Sequence, residues 1–123
     1  MEPNLDRLIL INKPIGWTSF DVVNKLRNKL KIKKIGHAGT LDPLATGLLI
    51  LCTGKMTKRI DEYQAQEKEY TGKFIIGQST PSHDLETKVT ETKDISLITD
   101  EAIHFASHKF KGVIQQVPPL HSA

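Results

Sequence analysis

One cysteine in 123 residues, Cys52, excludes an intrachain disulfide and removes the CxxC patterns of metal and redox sites. A reducing compartment is the expectation. No apolar run is longer than Leu48 to Cys52, far short of the roughly 20 residues that a membrane-spanning helix needs. The start of the chain, Met1 to Arg7, is acidic and polar with no signal-peptide core behind it, so the expected location is cytoplasmic and no membrane partner is expected. Internal repeats and low-complexity stretches are absent. Acids are also missing from one segment: between Lys25 and Lys34 stand six basic residues (Lys25, Arg27, Lys29, Lys31, Lys33, Lys34) and no Asp or Glu.

What is present describes an ordinary globular chain. Apolar residues make up 38% and charged ones 25%, which argues against disorder, and the length suits one domain or part of one. Lys and Arg number 17 against 14 Asp and Glu, a net charge of +3 that fits many partners. The basic run says more than the sum. It reads either as a stripe that attracts phosphates or as the solvated face of a helix, and charge alone leaves both open.

Leu8 to Ile11 is a short apolar run closed by Asn12-Lys13-Pro14-Ile15-Gly16, which predicts a buried strand and a turn. A helix should follow, capped by Thr18 or Ser19 with Asp21 as a short capping-box acid, its apolar face made of Val22, Val23, Leu26 and Leu30. The glycines and Pro43 make Gly36 to Gly47 a structured loop, with room for one helical turn after Asp42-Pro43. Further strands are expected at Leu48–Cys52, Tyr70–Ile76, Thr87–Thr92 and Val113–Ile114. Short helices are expected around Met56, Ile60 and Tyr63, and after Thr99. This mixture without regular βαβ alternation is α+β. The chain stops at Ala123 after a Pro-Pro turn with no closing element, so an incomplete domain is expected.

The densest chemical signal is Gly36-His37-Ala38-Gly39-Thr40-Leu41-Asp42-Pro43-Leu44-Ala45-Thr46-Gly47. Three glycines and a proline fix its backbone around one carboxylate with leucines nearby. A carboxylate held in a rigid loop, its solvation limited by apolar neighbours, suits a nucleophile or general base. Asp before Pro is equally a helix N-cap, and the local pattern leaves both readings standing.

Four motifs in order and spacing resemble those of the TruB-type tRNA pseudouridine synthases. They are Lys13-Pro14-x-Gly16-x-Thr18-Ser19, the Gly36–Gly47 block, Lys68-x-Tyr70, and Gln116-x-Pro118-Pro119-x-x-Ser122-Ala123. The resemblance covers the chain from about Leu8 to Ala123. It implies a pseudouridine-synthase-like fold, a mixed and largely antiparallel sheet with flanking helices, of which this chain is the N-terminal part of the catalytic domain (residues 1–123). It further implies isomerisation of uridine-55 in the tRNA T loop, by base flipping and an aspartate-dependent break and re-formation of the glycosidic bond.

By the same resemblance, Asp42 is the catalytic aspartate and Tyr70 the aromatic that stacks on the target base. His37 fills the gap in the RNA stack, and Gly39, Thr40, Leu41 and Lys68 belong to the RNA-binding surface. Lys13 and the basic stripe are expected as phosphate contacts. The residues alone allow a core strand role for Tyr70 and a turn role for His37. No metal or organic cofactor is implied. The T-arm stem-loop of tRNA is the implied partner, and a monomer is expected.

The pattern departs from the family at Ser79-Thr80-Pro81-Ser82-His83-Asp84, where only the last acid matches, and at His121, where a tyrosine is usual. Family members continue past Ser122-Ala123 with an arginine that pairs with the aspartate, an apolar pocket residue and usually a small RNA-binding domain. The chain alone is therefore expected to be inactive or nearly so. Competing readings are a guide-RNA-dependent rRNA pseudouridine synthase and a tRNA-binding or folding module that does not catalyse.

Overall fold

A computed structural model describes residues 5–120. His121, Ser122 and Ala123, which close the fourth motif, lie outside the described residues. The chain forms two compact units, one ending at Tyr70 and the other beginning at Thr71.

The first unit is a three-stranded antiparallel sheet with a helix on one face. Strands β1 (Leu8–Lys13), β2 (Ile35–Ala38) and β3 (Gly47–Thr53) lie in the order β1-β3-β2, with Leu10 opposite Ile50 and His37 opposite Leu51. Helix α1 (Ser19–Leu30) starts at a reciprocal cap. The Asp21 N–H donates to the Thr18 hydroxyl at 2.9 Å, and the Thr18 N–H donates to the Asp21 carboxylate at 2.8 Å. Hydrogen bonding to the carboxylate, from the Thr18 N–H above all and then from the Thr18 side chain, holds the Asp21 carboxyl below its ordinary range, with a smaller contribution from the Lys13 charge.

The core is where α1 meets the sheet: Val22, Val23, Ile32, Ile35, Leu49 and Leu51 are buried together, with Ile9, Ile11, Leu26 and Leu41 packed against them. Burying a side chain such as Leu49 or Leu51 contributes about 1.5–3 kcal/mol. The helix covers one face only. Ile9 and Ile11 face it, whereas Leu8, Leu10 and Leu48 remain exposed, so β1 is half-buried rather than the fully buried strand its apolar run predicted. After β3 a 3-10 turn (Gly54–Arg59) leads into α2 (Ile60–Gln64), as the Met56, Ile60, Tyr63 spacing predicts.

The second unit holds a two-stranded ribbon, β4 (Gln78–Ser79) with β5 (Glu91–Thr92), and α3 (Asp100–Ser107), which Thr99 caps through the Ala102 N–H. The strand expected at Tyr70–Ile76 is not formed, and Phe74 is 95% exposed. Thr87–Thr92 shortens to its last two residues, and Val113–Ile114 is irregular. A strand needs a neighbour for its ladder of N–H and C=O groups, and among the described residues these segments have none beyond the β4–β5 ribbon. The described residues therefore form an α+β arrangement with antiparallel sheets.

Candidate active site

The loop carrying Asp42 is tied to the segment Lys13–Ser19 on both sides of the carboxylate. Lys13, the last residue of β1, sits opposite Gly47 at the start of β3 and is fully buried. An ammonium removed from water is costly unless its donors are used, and here all three are. Lys13 Nζ donates to the carbonyls of Pro14 at 3.0 Å, Trp17 at 2.5 Å and Pro43 at 3.3 Å. The Pro43 carbonyl also accepts the Gly16 N–H at 2.7 Å. Gly16 has φ of 81°, a left-handed conformation that a side chain would strain.

On the other side of Asp42, Ser19 clamps Leu41. The Leu41 N–H donates to Ser19 Oγ at 2.9 Å, and Ser19 Oγ donates back to the Leu41 carbonyl at 3.2 Å. Ser19 is buried and free for this role because Thr18 takes the cap. Leu41 adds apolar packing against the core.

Between these anchors Asp42 is exposed, and its carboxylate has no hydrogen bond or ion pair among the described residues. No helix follows it. The residues Asp42–Ala45 form one turn, closed by the Ala45 N–H on the Asp42 carbonyl at 2.9 Å, so the main-chain oxygen does the work that an N-cap carboxylate would do. The leucines do not shield the carboxylate as the sequence suggested: Leu44 is itself 43% exposed. What the loop supplies is position.

The same geometry corrects the reading of Lys13. A buried ammonium with three carbonyl partners is not poised on the surface for a phosphate; it fixes the loop. The expected loop Gly36–Gly47 also begins later than predicted, since Gly36, His37 and Ala38 belong to β2. His37 is half-buried, with Nδ1 2.6 Å from the Gly39 carbonyl. A carbonyl only accepts, so Nδ1 carries the proton and Nε2 is left for an outside partner.

Gly39 has φ of 92°, and the Lys68 stem lies over it, with Cε 3.9 Å from where a Cβ would stand. Lys68 Nζ donates to the carbonyls of Gln64 and Gln66, the latter at 3.0 Å, which holds the side chain across the end of α2. Thr40 is exposed. The structure thus brings His37, Gly39 and Lys68 together, and joins Leu41 and Asp42 to Lys13. Tyr70 is 69% exposed and makes no hydrogen bond or ring contact among the described residues. Gly16 and Ser19 stand in the first motif, but their part in holding the Asp42 loop is what sequence reasoning missed, where Ser19 otherwise shows as a possible cap.

In the second unit, Asp84 is the acid of the loop that departs from the family pattern. The Ser82 hydroxyl donates to it at 2.6 Å and the Glu86 N–H at 2.9 Å, and these bonds, the first above all, hold its carboxyl below the ordinary range. Among the described residues no group of three or more His, Cys, Asp or Glu is placed to hold a metal, and no helix is long and apolar enough to cross a membrane.

Residues 27–123 match the family model described as TruB family pseudouridylate synthase (N terminal domain). A protein named tRNA pseudouridine synthase B from Flavobacterium johnsoniae is 53% identical over 124 residues, covering 95% of this chain and 54% of that protein. Its namesake from Parabacteroides distasonis is 52% identical over 122 residues, 94% of this chain and 52% of the relative. The one from Chloroherpeton thalassium is 50% identical over 119 residues, 94% and 49%. The chain spans about half the length of the curated relatives it matches.

Proposed function

The chain belongs to the TruB family of pseudouridylate synthases, and from that membership we propose that it supplies the catalytic aspartate, Asp42, to an enzyme that isomerises uridine-55 of tRNA to pseudouridine. It forms the N-terminal part of the catalytic domain, with a pseudouridine-synthase-like fold. The observation that carries the reading is the double anchoring of the Asp42 loop: Ser19 fixes Leu41, and Lys13 with Gly16 fixes Pro43, while the carboxylate between them is exposed and unpartnered among the described residues. A backbone held this firmly around an acid left unused supports the reading that Asp42 meets an outside group.

The reaction asks for this. Uracil leaves as an anion, turns and re-adds through carbon 5, so the carboxylate must meet the flipped nucleotide at a fixed distance, either at the ribose or at the proton to be removed. Extruding the base costs roughly a few kcal/mol, which stacking on an aromatic offsets. Tyr70, exposed and unpartnered among the described residues, is the residue proposed for that face. His37 offers Nε2 toward the vacated stack, while Gly39, Thr40, Leu41 and Lys68 line the approach. The reaction uses no metal or organic cofactor.

The test is Asp42→Asn in this chain fused in register to the second half of one of the relatives, assayed on tRNA without guide RNA. Loss of pseudouridine formation with tRNA binding retained is the expected result. Unchanged activity overturns the assignment, and a fusion that binds tRNA but never modifies it favours a binding module instead.

A further inference from the structure

In the second unit, two side chains carry chemistry that neither the fold nor the proposed reaction uses. His104 lies in the last turn of α3, and His108, four residues on, is its C-cap and the first residue of the 3-10 turn that follows (His108–Phe110). Both are exposed, and their rings meet edge to face, with centroids 5.0 Å apart and planes at 76°. No nitrogen of either ring has a hydrogen bond or ion pair among the described residues. The backbone beneath them is closed by other groups. The Ser107 hydroxyl donates to the His104 carbonyl at 2.6 Å, and the Lys111 N–H donates to the His108 carbonyl at 3.3 Å.

The ordinary explanations cover part of this. A cation near a helix C-terminus is favoured by the helix dipole, which accounts for either histidine but not for their contact. Edge-to-face packing accounts for the angle between the rings and leaves every ring nitrogen idle. Metal ligation uses both. Residues at i and i+4 stand on one helix face, the spacing at which two histidines reach a single zinc. A tetrahedral zinc with each nitrogen at about 2.0–2.1 Å holds two imidazole centroids roughly 5 Å apart. His104 and His108 are already at that separation, so binding needs the rings to turn about χ2, a soft torsion, with the backbone left where it is.

We propose that His104 and His108 form a two-histidine site for a divalent transition-metal ion of the zinc and copper(II) class, which clips the last turn of α3 to the 3-10 turn after it. The donor set selects that class. Imidazole nitrogen suits zinc, nickel and copper, whereas magnesium and calcium take oxygen. No third His, Cys, Asp or Glu joins the pair among the described residues, so water completes the coordination and the ion stays exchangeable. The clip fixes His108, and beyond Phe110 the chain runs without helix or strand to Gln116, Pro118 and Pro119 of the fourth motif. The ion therefore acts on the order of that segment and takes no part in the reaction proposed at Asp42.

The test titrates zinc chloride into the untagged full chain, followed by calorimetry and by the imidazole resonances of its histidines, for the wild type, His104→Gln, His108→Gln and the control His83→Asn. The wild type and the control should take up one zinc per chain, with shifts confined to the His104 and His108 rings. Each glutamine variant should bind at least about tenfold more weakly, since loss of an outer-shell partner alone costs roughly 10–100-fold. Copper(II) should displace zinc, and magnesium should have no effect. Melting curves without metal should agree among the four proteins, because the substituted residues are exposed; with zinc, only those of the wild type and the control should move to higher temperature. Unchanged zinc affinity in either glutamine variant overturns the site, as do shifts spread evenly over all the histidines. One zinc per two chains, with a doubled mass, overturns the clip, because the pair then bridges copies.

Discussion

Ser19→Ala separates positioning of Asp42 from stability of the fold. The Ser19 hydroxyl is buried and makes two bonds to one residue, accepting from the Leu41 N–H at 2.9 Å and donating to the Leu41 carbonyl at 3.2 Å. Alanine removes both and leaves the Leu41 N–H and C=O without the Ser19 partner; because Leu41 is half-buried, water replaces part of the loss. The expected destabilisation is about 1–2 kcal/mol, in the lower part of the range for an unsatisfied group. For a unit of this size that corresponds to roughly 4–16 °C in melting temperature.

The control stands one residue earlier. Thr18→Ala removes the α1 cap, a loss of about 1 kcal/mol, but touches nothing in the Asp42 loop. Both variants should melt at lower temperature by similar amounts. In the fused enzyme, assayed well below either melting point, Thr18→Ala should keep kcat within about twofold, whereas Ser19→Ala should lower kcat by at least tenfold with tRNA affinity little changed, since small misplacement of a reacting group can cost about a hundredfold. Equal activity in the two variants would refute the argument that Ser19 acts through Leu41 on the position of Asp42.

Lys13→Met keeps a stem of similar length but removes three donors from the Pro14, Trp17 and Pro43 carbonyls, and should destabilise the first unit by on the order of 3 kcal/mol in urea unfolding; a loss under about 1 kcal/mol would mean that water replaces the ammonium. Asp21 predicts a pH effect of known sign. Its carboxyl is held below its ordinary value of 3.8 by the bonds to Thr18, so the stability it adds is present above that value and disappears as pH falls through the lowered one. Melting curves of the wild type and Asp21→Asn should therefore differ at neutral pH, begin to approach each other as pH falls past 3.8 and converge once it is below the lowered value, and a gap that persists in stronger acid would show that the charge is not the cause.

The legible parts of this fold are those whose cause lies within a few residues. The Thr18–Asp21 cap, the Thr99 cap and the turn-and-helix over Gly54–Gln64 are set by neighbours in sequence, and reading them needed no partner from elsewhere. Tyr70–Ile76 failed for the complementary reason. Its aromatic and β-branched composition describes what a strand would look like, but a strand exists only where another pairs with it, and none does among the described residues. The exposed side of β1 is a related case: four apolar residues in a row cannot say whether one face or two will be covered, and here α1 covers one.

Asp42 shows where local reading stops and what replaces it. The glycines and Pro43 announced a rigid loop, and the motif order pointed to the carboxylate, but rigidity comes from contacts made 22 residues away at Ser19 and 30 residues away at Lys13. Neither leaves a periodic trace. A buried serine looks like a cap, and a lysine beside a Pro-x-Gly turn looks like a surface charge. Their roles follow only once β1 and β3 are paired, because Lys13 opposite Gly47 puts the ammonium under Pro43, and the start of α1 then falls beside Leu41. The first and second motifs of the sequence are therefore one device. The first is the clamp, the second is what it holds, and the proximity of the two is the physical reason that both occur in one chain.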